Sequence, residues 1–269
     1  MSALSVAAPS SLYRGLDAAC AIPDLQAVIE HAIRNRPRSL QKAIGPSSLG
    51  SECDRCLIEE LAGLAEPEDI AAWLPTLGVA LGEWLEGVVI KHLMTTGSDR
   101  YIPEGRVTVG YVGGVEIGGN TDVFDTWTGT VIDYKLIGTT TLRKMQKQGA
   151  STTYKRQVQV YGKGWEDAGF VVKSVAVWGL PRNGFTIGSG YVHQEPYDRA
   201  TAEATIARAD MFARAISHFG AEQVLEKAGP HSGTEFHCPD PKAEEKAAKQ
   251  LDGLLPTTPS ATGAGPNAA

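Results

Sequence analysis

With 269 residues, 42% of them hydrophobic and 21% charged, the chain has the composition of a globular protein, and one large domain is expected rather than two small ones. A net charge of −6 argues against a surface that coats nucleic acid throughout, although local charge can differ. No stretch approaches the about 18 apolar residues of a membrane span, and Met1 to Ser11 lack the basic start and apolar core of a signal peptide, so a cytoplasmic protein with no membrane partner is expected.

Residues 1–12 and 240–269 are rich in Ala, Ser, Thr, Pro and Gly and are expected to be mostly disordered. The single domain between them divides into a helical lead over 13–97, a core over 76–195 that overlaps it, and closing helices over 198–228. Leu25, Val28, Ile29 and Ile33 predict a helix over 24–34 with Asp24 as its N-cap. Ser47 to Ser51 precede a second helix running through 57–64, and 76–93 reads as a longer one. From Arg106 the pattern changes to alternating Val, Thr, Ile and Tyr broken by Gly110, Gly113 and Gly114, which predicts three antiparallel strands by Lys135. A helix over 152–168, a buried strand over 173–180, a further strand near 189–194 and an amphipathic helix bearing Ala209, Phe212, Ile216 and Phe219 complete the chain. The order is α, β-β-β, α, β.

The most informative segment is Gly119 to Lys135, where two β-prone runs flank a mostly polar stretch from Asp125 to Thr130. A turn centred on Trp127 and Thr128 sets Asp122 directly opposite Asp133. Opposed side chains in an antiparallel pair have Cβ atoms roughly 5 Å apart, and like charges there repel. A hard divalent cation between them is the natural remedy. Strand alternation sends Val131, Asp133 and Lys135 to one face and Ile132, Tyr134 and Leu136 to the other, so the apolar second face is expected to pack while Asp133 and Lys135 share a cleft. Two carboxylates, a metal and a lysine suit attack of water on a phosphodiester, with Lys135 positioning the water or neutralising the phosphorane. Arg143, Lys144, Lys147, Lys155, Arg156 and Lys163 follow with no acidic residue from Leu136 to Trp165, which suits contacts to DNA phosphates.

Together these residues resemble the PD-(D/E)xK nucleases of the RecB-like branch, which includes phage-encoded and CRISPR-associated exonucleases. The resemblance covers roughly 47–180. Its carboxylate motif corresponds to Gly119-Asn120-Thr121-Asp122 and its acid-x-lysine motif to Asp133-Tyr134-Lys135, and it implies that the Tyr134 backbone carbonyl also holds the metal. Gln157-Val158-Gln159-Val160-Tyr161 resembles the branch's Q-x-x-x-Y motif; residues four apart share a helix face, so Gln157 and Tyr161 can point together into the cleft, with Tyr154 near the same side. The resemblance also places an acid or histidine on the helix before the sheet, where Glu86 is the candidate and Glu83 the competitor, while His92 reads as a partly buried helix residue. The implied fold is α/β (α+β) with a restriction-endonuclease-like core, a mixed sheet of four to five strands and extra helices at both ends.

Cysteine usage departs from that family. Its iron-sulfur members carry one cysteine before the core and three after it, whereas here Cys53 and Cys56 precede the core and Cys238 follows it, with Cys20 in the polar start. A four-iron cluster is therefore not expected. Zinc held by Cys53, Cys56, His237 and Cys238 is compatible by ligand type, and reduced structural cysteines are the plainer alternative. The functional expectation is a Mg²⁺-dependent DNA exonuclease, with Mn²⁺ as a substitute, in recombination, repair or phage DNA processing. Its substrate would be duplex with a free end, and the resemblance implies a single-strand annealing protein as partner. A structure-specific or site-specific endonuclease and a catalytically silent DNA-binding protein of the same fold are the alternatives.

Overall fold

The computed structural model describes residues 21–34, 44–64, 73–233 and 238–242. The polar termini, Cys20 and His237 lie outside them. The architecture is α+β: a five-stranded mixed sheet with helices packed on it, consistent with a restriction-endonuclease-like core.

The strands are β1 (Tyr101–Val112), β2 (Val115–Asp125), β3 (Thr130–Ile137), β4 (Ser174–Pro181) and β5 (Tyr191–Pro196), lying side by side in chain order. The first three form an antiparallel meander. Gly113 and Gly114 close its first hairpin with φ of 58° and 82°, the left-handed pair that a two-residue turn matched to strand twist requires. At the second turn, the buried Asp125 accepts hydrogen bonds from the Trp127 amide at 3.1 Å and from the Arg100 guanidinium at 2.8 Å. That turn fixes the register Asp125 to Thr130, Phe124 to Val131 and Val123 to Ile132, the alignment expected from the sequence. β4 then runs parallel to β3, and β5 returns antiparallel along the far edge after a 3₁₀ turn at Ile187–Ser189.

The parallel β3–β4 pair needs a crossover, supplied by α5 (Thr139–Gln148) and α6 (Thr152–Asp167). α5 has no counterpart in the expected order. Its sequence, Thr-Thr-Thr-Leu-Arg-Lys-Met-Gln-Lys-Gln, buries only Met145, so it offers almost no apolar period to read. α6 is the opposite case, with Val158, Val160, Tyr161 and Trp165 all buried. Trp165 stacks on Phe124 at 4.5 Å between ring centroids and donates its indole N–H to Thr121 Oγ1 at 3.0 Å. α7 (Arg199–Phe219) covers α6 and β1 with Ala202, Ile206 and Ala209. α2 (Pro46–Leu49) and α3 (Asp54–Leu61) pack against α6 and α7, α4 (Trp73–Thr96) reaches β1 and β3, α8 (Ala221–Lys227) packs against α3 and α7, and α1 (Ala21–Arg34) precedes them in the chain.

Three expectations change. α1 begins at Ala21, so Asp24 lies in its first turn rather than at the cap. α3 stops at Leu61 because Gly63 turns left-handed at φ 69°. The packed face of β3 is also the reverse of the one anticipated: Val131, Asp133 and Ile137 are buried, whereas Ile132, Tyr134 and Leu136 are only half-buried. The reason is that α6 lies over the face bearing Asp133, which places the polar site inside the packed layer.

Gly105 allows that layer to close, since a Cβ there would sit 2.3 Å from Trp165 Cζ2. Phe124, Phe170 and Thr121 hold the indole, so it cannot swing aside. Gly105→Ala is therefore expected to destabilise the protein by about 1–3 kcal/mol, the usual cost of overpacking, read as a lower urea midpoint at unchanged slope.

Candidate active site

The meander delivers a row of acids. Beyond Val123 opposite Ile132, one further step along the ladder sets Asp122 against Asp133. The ladder does not continue there; instead Asp122 Oδ2 accepts a hydrogen bond from the Tyr134 amide. On the other side, Pro103 pairs with Val123 and Gly105 with Thr121, which leaves Glu104 abreast of Asp122 without a ladder partner of its own. Glu104 is the non-glycine residue with positive φ among those described, at 49°. Three neighbouring strands thus each contribute one carboxylate.

Glu104 was not anticipated from the sequence. It stands in Pro103-Glu104-Gly105, ahead of the alternating run that starts at Arg106, and only the β1–β2 register reveals its place. Asn120 donates to its Oε2 at 3.3 Å. Burial raises the Glu104 carboxyl above the ordinary glutamate range, and the charge of Glu86 adds to the rise. Glu86, Glu83, Glu104, Asn120 and Asp122 line one cleft of about 540 Å³ between α4 and the sheet. Both candidate helix acids therefore reach this wall, Glu86 half-buried and Glu83 exposed. His92 is exposed rather than partly buried.

Asp133 is buried and its two oxygens differ. Oδ1 accepts from the Gln157 amide at 3.2 Å, whereas Oδ2 lies 2.8 Å from Lys135 Nζ in an ion pair. Burial opposes the charge on Lys135, but Asp133 and Asp122 outweigh it and raise its pKa. The ammonium also lies 5.2 Å from the centre of the Tyr154 ring. Tyr161 shares the α6 face with Gln157, and burial together with the charge of Asp133 keeps its phenol protonated. The structure therefore brings Asp122, Asp133, Lys135, Gln157 and Tyr161 together, as the motifs required.

The carboxyl of Asp122 is pushed up to about 7, first by burial and next by the charge of Asp133, against the Tyr134 amide and Lys135, which lower it. These features fit a hard divalent cation such as Mg²⁺: all donors are oxygen, the charge of Asp133 acts on Asp122, and the enclosed Asp133 Oδ2 has Lys135 beside it but no hydrogen bond.

The basic residues divide into two groups. Arg143, Lys144 and Lys147 are exposed along α5. Arg156 instead donates to the Ser51 carbonyl at 3.2 Å and Lys163 to the Val109 carbonyl at 3.1 Å, so both have structural roles. Lys155 is half-buried.

No protein-family description matches the chain, and no curated sequence does. Among solved structures it is similar to SSO0001, with TM-score 0.41 and 20% identity over 71% of this chain and 86% of that one. It is also similar to an alkaline exonuclease, LHK-Exo, from Laribacter hongkongensis, with TM-score 0.44 and 15% identity over 77% of this chain and 94% of that one. The same enzyme in complex with dAMP gives TM-score 0.43 and 17% identity over the same shares. At such distances the cleft's own geometry has to carry the functional reading.

The raised carboxyl has a consequence for stability. Asp122 ionises at about 3.9 in an unfolded chain and is pushed up to about 7 in the fold, so between those values the native state binds the extra proton. Its contribution is therefore fully present below about pH 4 and is lost as pH rises through about 7. With a chelator present, wild type should lose more stability between pH 5 and pH 8 than Asp122→Asn. Equal losses, measured by urea midpoints, would exclude the raised carboxyl.

Proposed function

We propose that the protein is a metal-dependent deoxyribonuclease that hydrolyses phosphodiester bonds, acting as an exonuclease on duplex ends. The observation that carries this reading is the convergence of Asp122, Asp133 and Lys135 with Gln157 of α6. Asp122 and Asp133 would hold Mg²⁺, or Mn²⁺ in its place, with the Tyr134 carbonyl beside them and Glu86 and Glu104 on the α4 side. The bound ion would lower the pKa of water and stabilise charge developing on phosphate.

The protein's own groups supply the remainder. Gln157 ties down Asp133 Oδ1 and so leaves Oδ2 to Lys135, from where it would be available to a bound cation. Lys135, kept charged by its two aspartates, orients the attacking water and balances the added negative charge of the phosphorane. Tyr161, held as a phenol, is a hydrogen-bond donor to a phosphate oxygen or to water. The exposed basic face of α5 follows β3 directly and suits the approach of a DNA backbone. The exonuclease mode, a role in recombination, repair or phage DNA processing, and a single-strand annealing partner follow from the resemblance to RecB-like nucleases.

End-labelled linear duplex should be degraded by wild type only with Mg²⁺ or Mn²⁺, and Asp133→Ala or Lys135→Ala should reduce the rate by at least about 10²-fold, the scale of a lost transition-state group. No metal-dependent loss of duplex in wild type would sink the nuclease reading. Covalently closed circles should resist digestion, and their rapid cutting would favour the endonuclease alternative.

The basic face of α5 has a separate test. Replacing Arg143, Lys144 and Lys147 with alanine should weaken DNA binding and make the slope of log K against log salt shallower by up to about 3. An unchanged slope would remove α5 from the interface.

A further inference from the structure

A second constellation lies away from the acid row. Cys53 and Cys56 stand at the start of α3, and His231 and Cys238 come from the segment after α8. Their ligating atoms all lie within 4.8 Å of one another, with Cys53, His231 and Cys238 buried and Cys56 half-buried. His231 Nδ1 is 3.3 Å from Cys56 Sγ and 3.9 Å from both Cys53 Sγ and Cys238 Sγ. His237, the histidine singled out by its place next to Cys238, lies outside the described residues, and His231 occupies the fourth position.

We propose that Cys53, Cys56, His231 and Cys238 form a structural zinc site that ties the start of α3 to the carboxy-terminal segment. Zn–S bonds of about 2.3 Å and Zn–N bonds of about 2.0 Å in a tetrahedron set ligand atoms about 3.4–3.8 Å apart. The separations from His231 Nδ1 bracket that value. A four-iron cluster would hold thiolates about 6 Å apart, because each binds a different iron of the cube. It would also require a fourth thiolate where His231 stands.

The surroundings fit bound thiolates and imidazole. The Cys56 amide points at Cys53 Sγ at 3.4 Å, and the Gly233 amide donates to Cys238 Sγ at 3.2 Å. With Nδ1 facing the sulfurs, His231 Nε2 faces Glu59 Oε1 at 3.5 Å, the outer carboxylate that commonly fixes the tautomer of a zinc-bound histidine. Closed by four protein ligands, the site is structural rather than catalytic.

It also connects to the acid row. Ser51, two residues before Cys53, offers its carbonyl to Arg208 at 2.7 Å and to Arg156, which adjoins Gln157. Arg55 donates to the carbonyls of Leu225 and Gly229, both at 3.3 Å. Zinc would thus brace the platform on which α6 presents Gln157 to Asp133.

The full-length protein, purified without chelator, should contain one zinc per chain by elemental analysis. Stripping it should lower Tm by about 10 °C, reversibly on zinc addition. Cobalt(II) replacement should give the visible bands of a tetrahedral ion and a charge-transfer band for three thiolates. That band should gain about one third in His231→Cys, which adds a fourth sulfur, and Cys56→Ser should weaken it. Iron with labile sulfide, the absence of bound metal, or a cobalt spectrum unaltered in His231→Cys would each overturn the proposal. None of these readouts depends on DNA cleavage.

Discussion

Two carboxylates set against each other under a packed helix dominate this molecule. Asp122 and Asp133 lie where β2 and β3 would otherwise continue their ladder, and α6 covers the face they share. Burial and mutual repulsion raise the Asp122 carboxyl, and Lys135 is retained as a cation beside them. A fold gains nothing in stability from such an arrangement, because uncompensated buried charge is costly. The surrounding structure offsets that cost: Trp165 and Phe124 fill the layer next to the acids, the Arg100 and Asp125 pair fixes the turn, and Gln157 satisfies one oxygen of Asp133. Local electrostatic disadvantage at a tightly packed position is what a cation-binding catalytic cleft is expected to show.

The acid pair was legible because a hairpin converts sequence spacing into spatial pairing. A turn at Trp127 and Thr128 implies the register that the structure keeps from Asp125 to Val123, and Asp122 follows one step beyond the end of that ladder, where it accepts the Tyr134 amide. Gln157 and Tyr161 were legible for a similar reason, since four residues make about one helical turn. Glu104 was hidden because its place depends on β1 meeting β2 around an irregular residue, and a single segment carries no sign of that. α5 was hidden by its composition. The reversed packing of β3 arose because alternation identifies two faces without saying which one a distant helix will cover.

The cysteine cluster shows the limit of reading ligands from nearest neighbours in sequence. His237 adjoins Cys238 in sequence and lies outside the described residues, whereas His231, seven residues before Cys238, stands with the three sulfurs. Cys53 and His231 are 178 residues apart, so a metal joining them would close most of the domain into one loop. Such long closures are the ones from which a clip gains most in principle.

α4 forms the open wall of the cleft, and Gly78 and Gly82 sit there one turn apart with empty space where a Cβ would be. Glycine inside a helix costs about 1 kcal/mol relative to alanine, so two of them weaken this helix without improving its packing. What they leave is a strip of bare backbone facing the acids. A bulky, rigid polymer could lie against that strip with its backbone nearer to Asp122 than any ordinary helix surface would permit. The α6 side, filled by Tyr161 and Trp165, admits no such approach. The cleft is therefore one-sided, and it opens where side chains are missing.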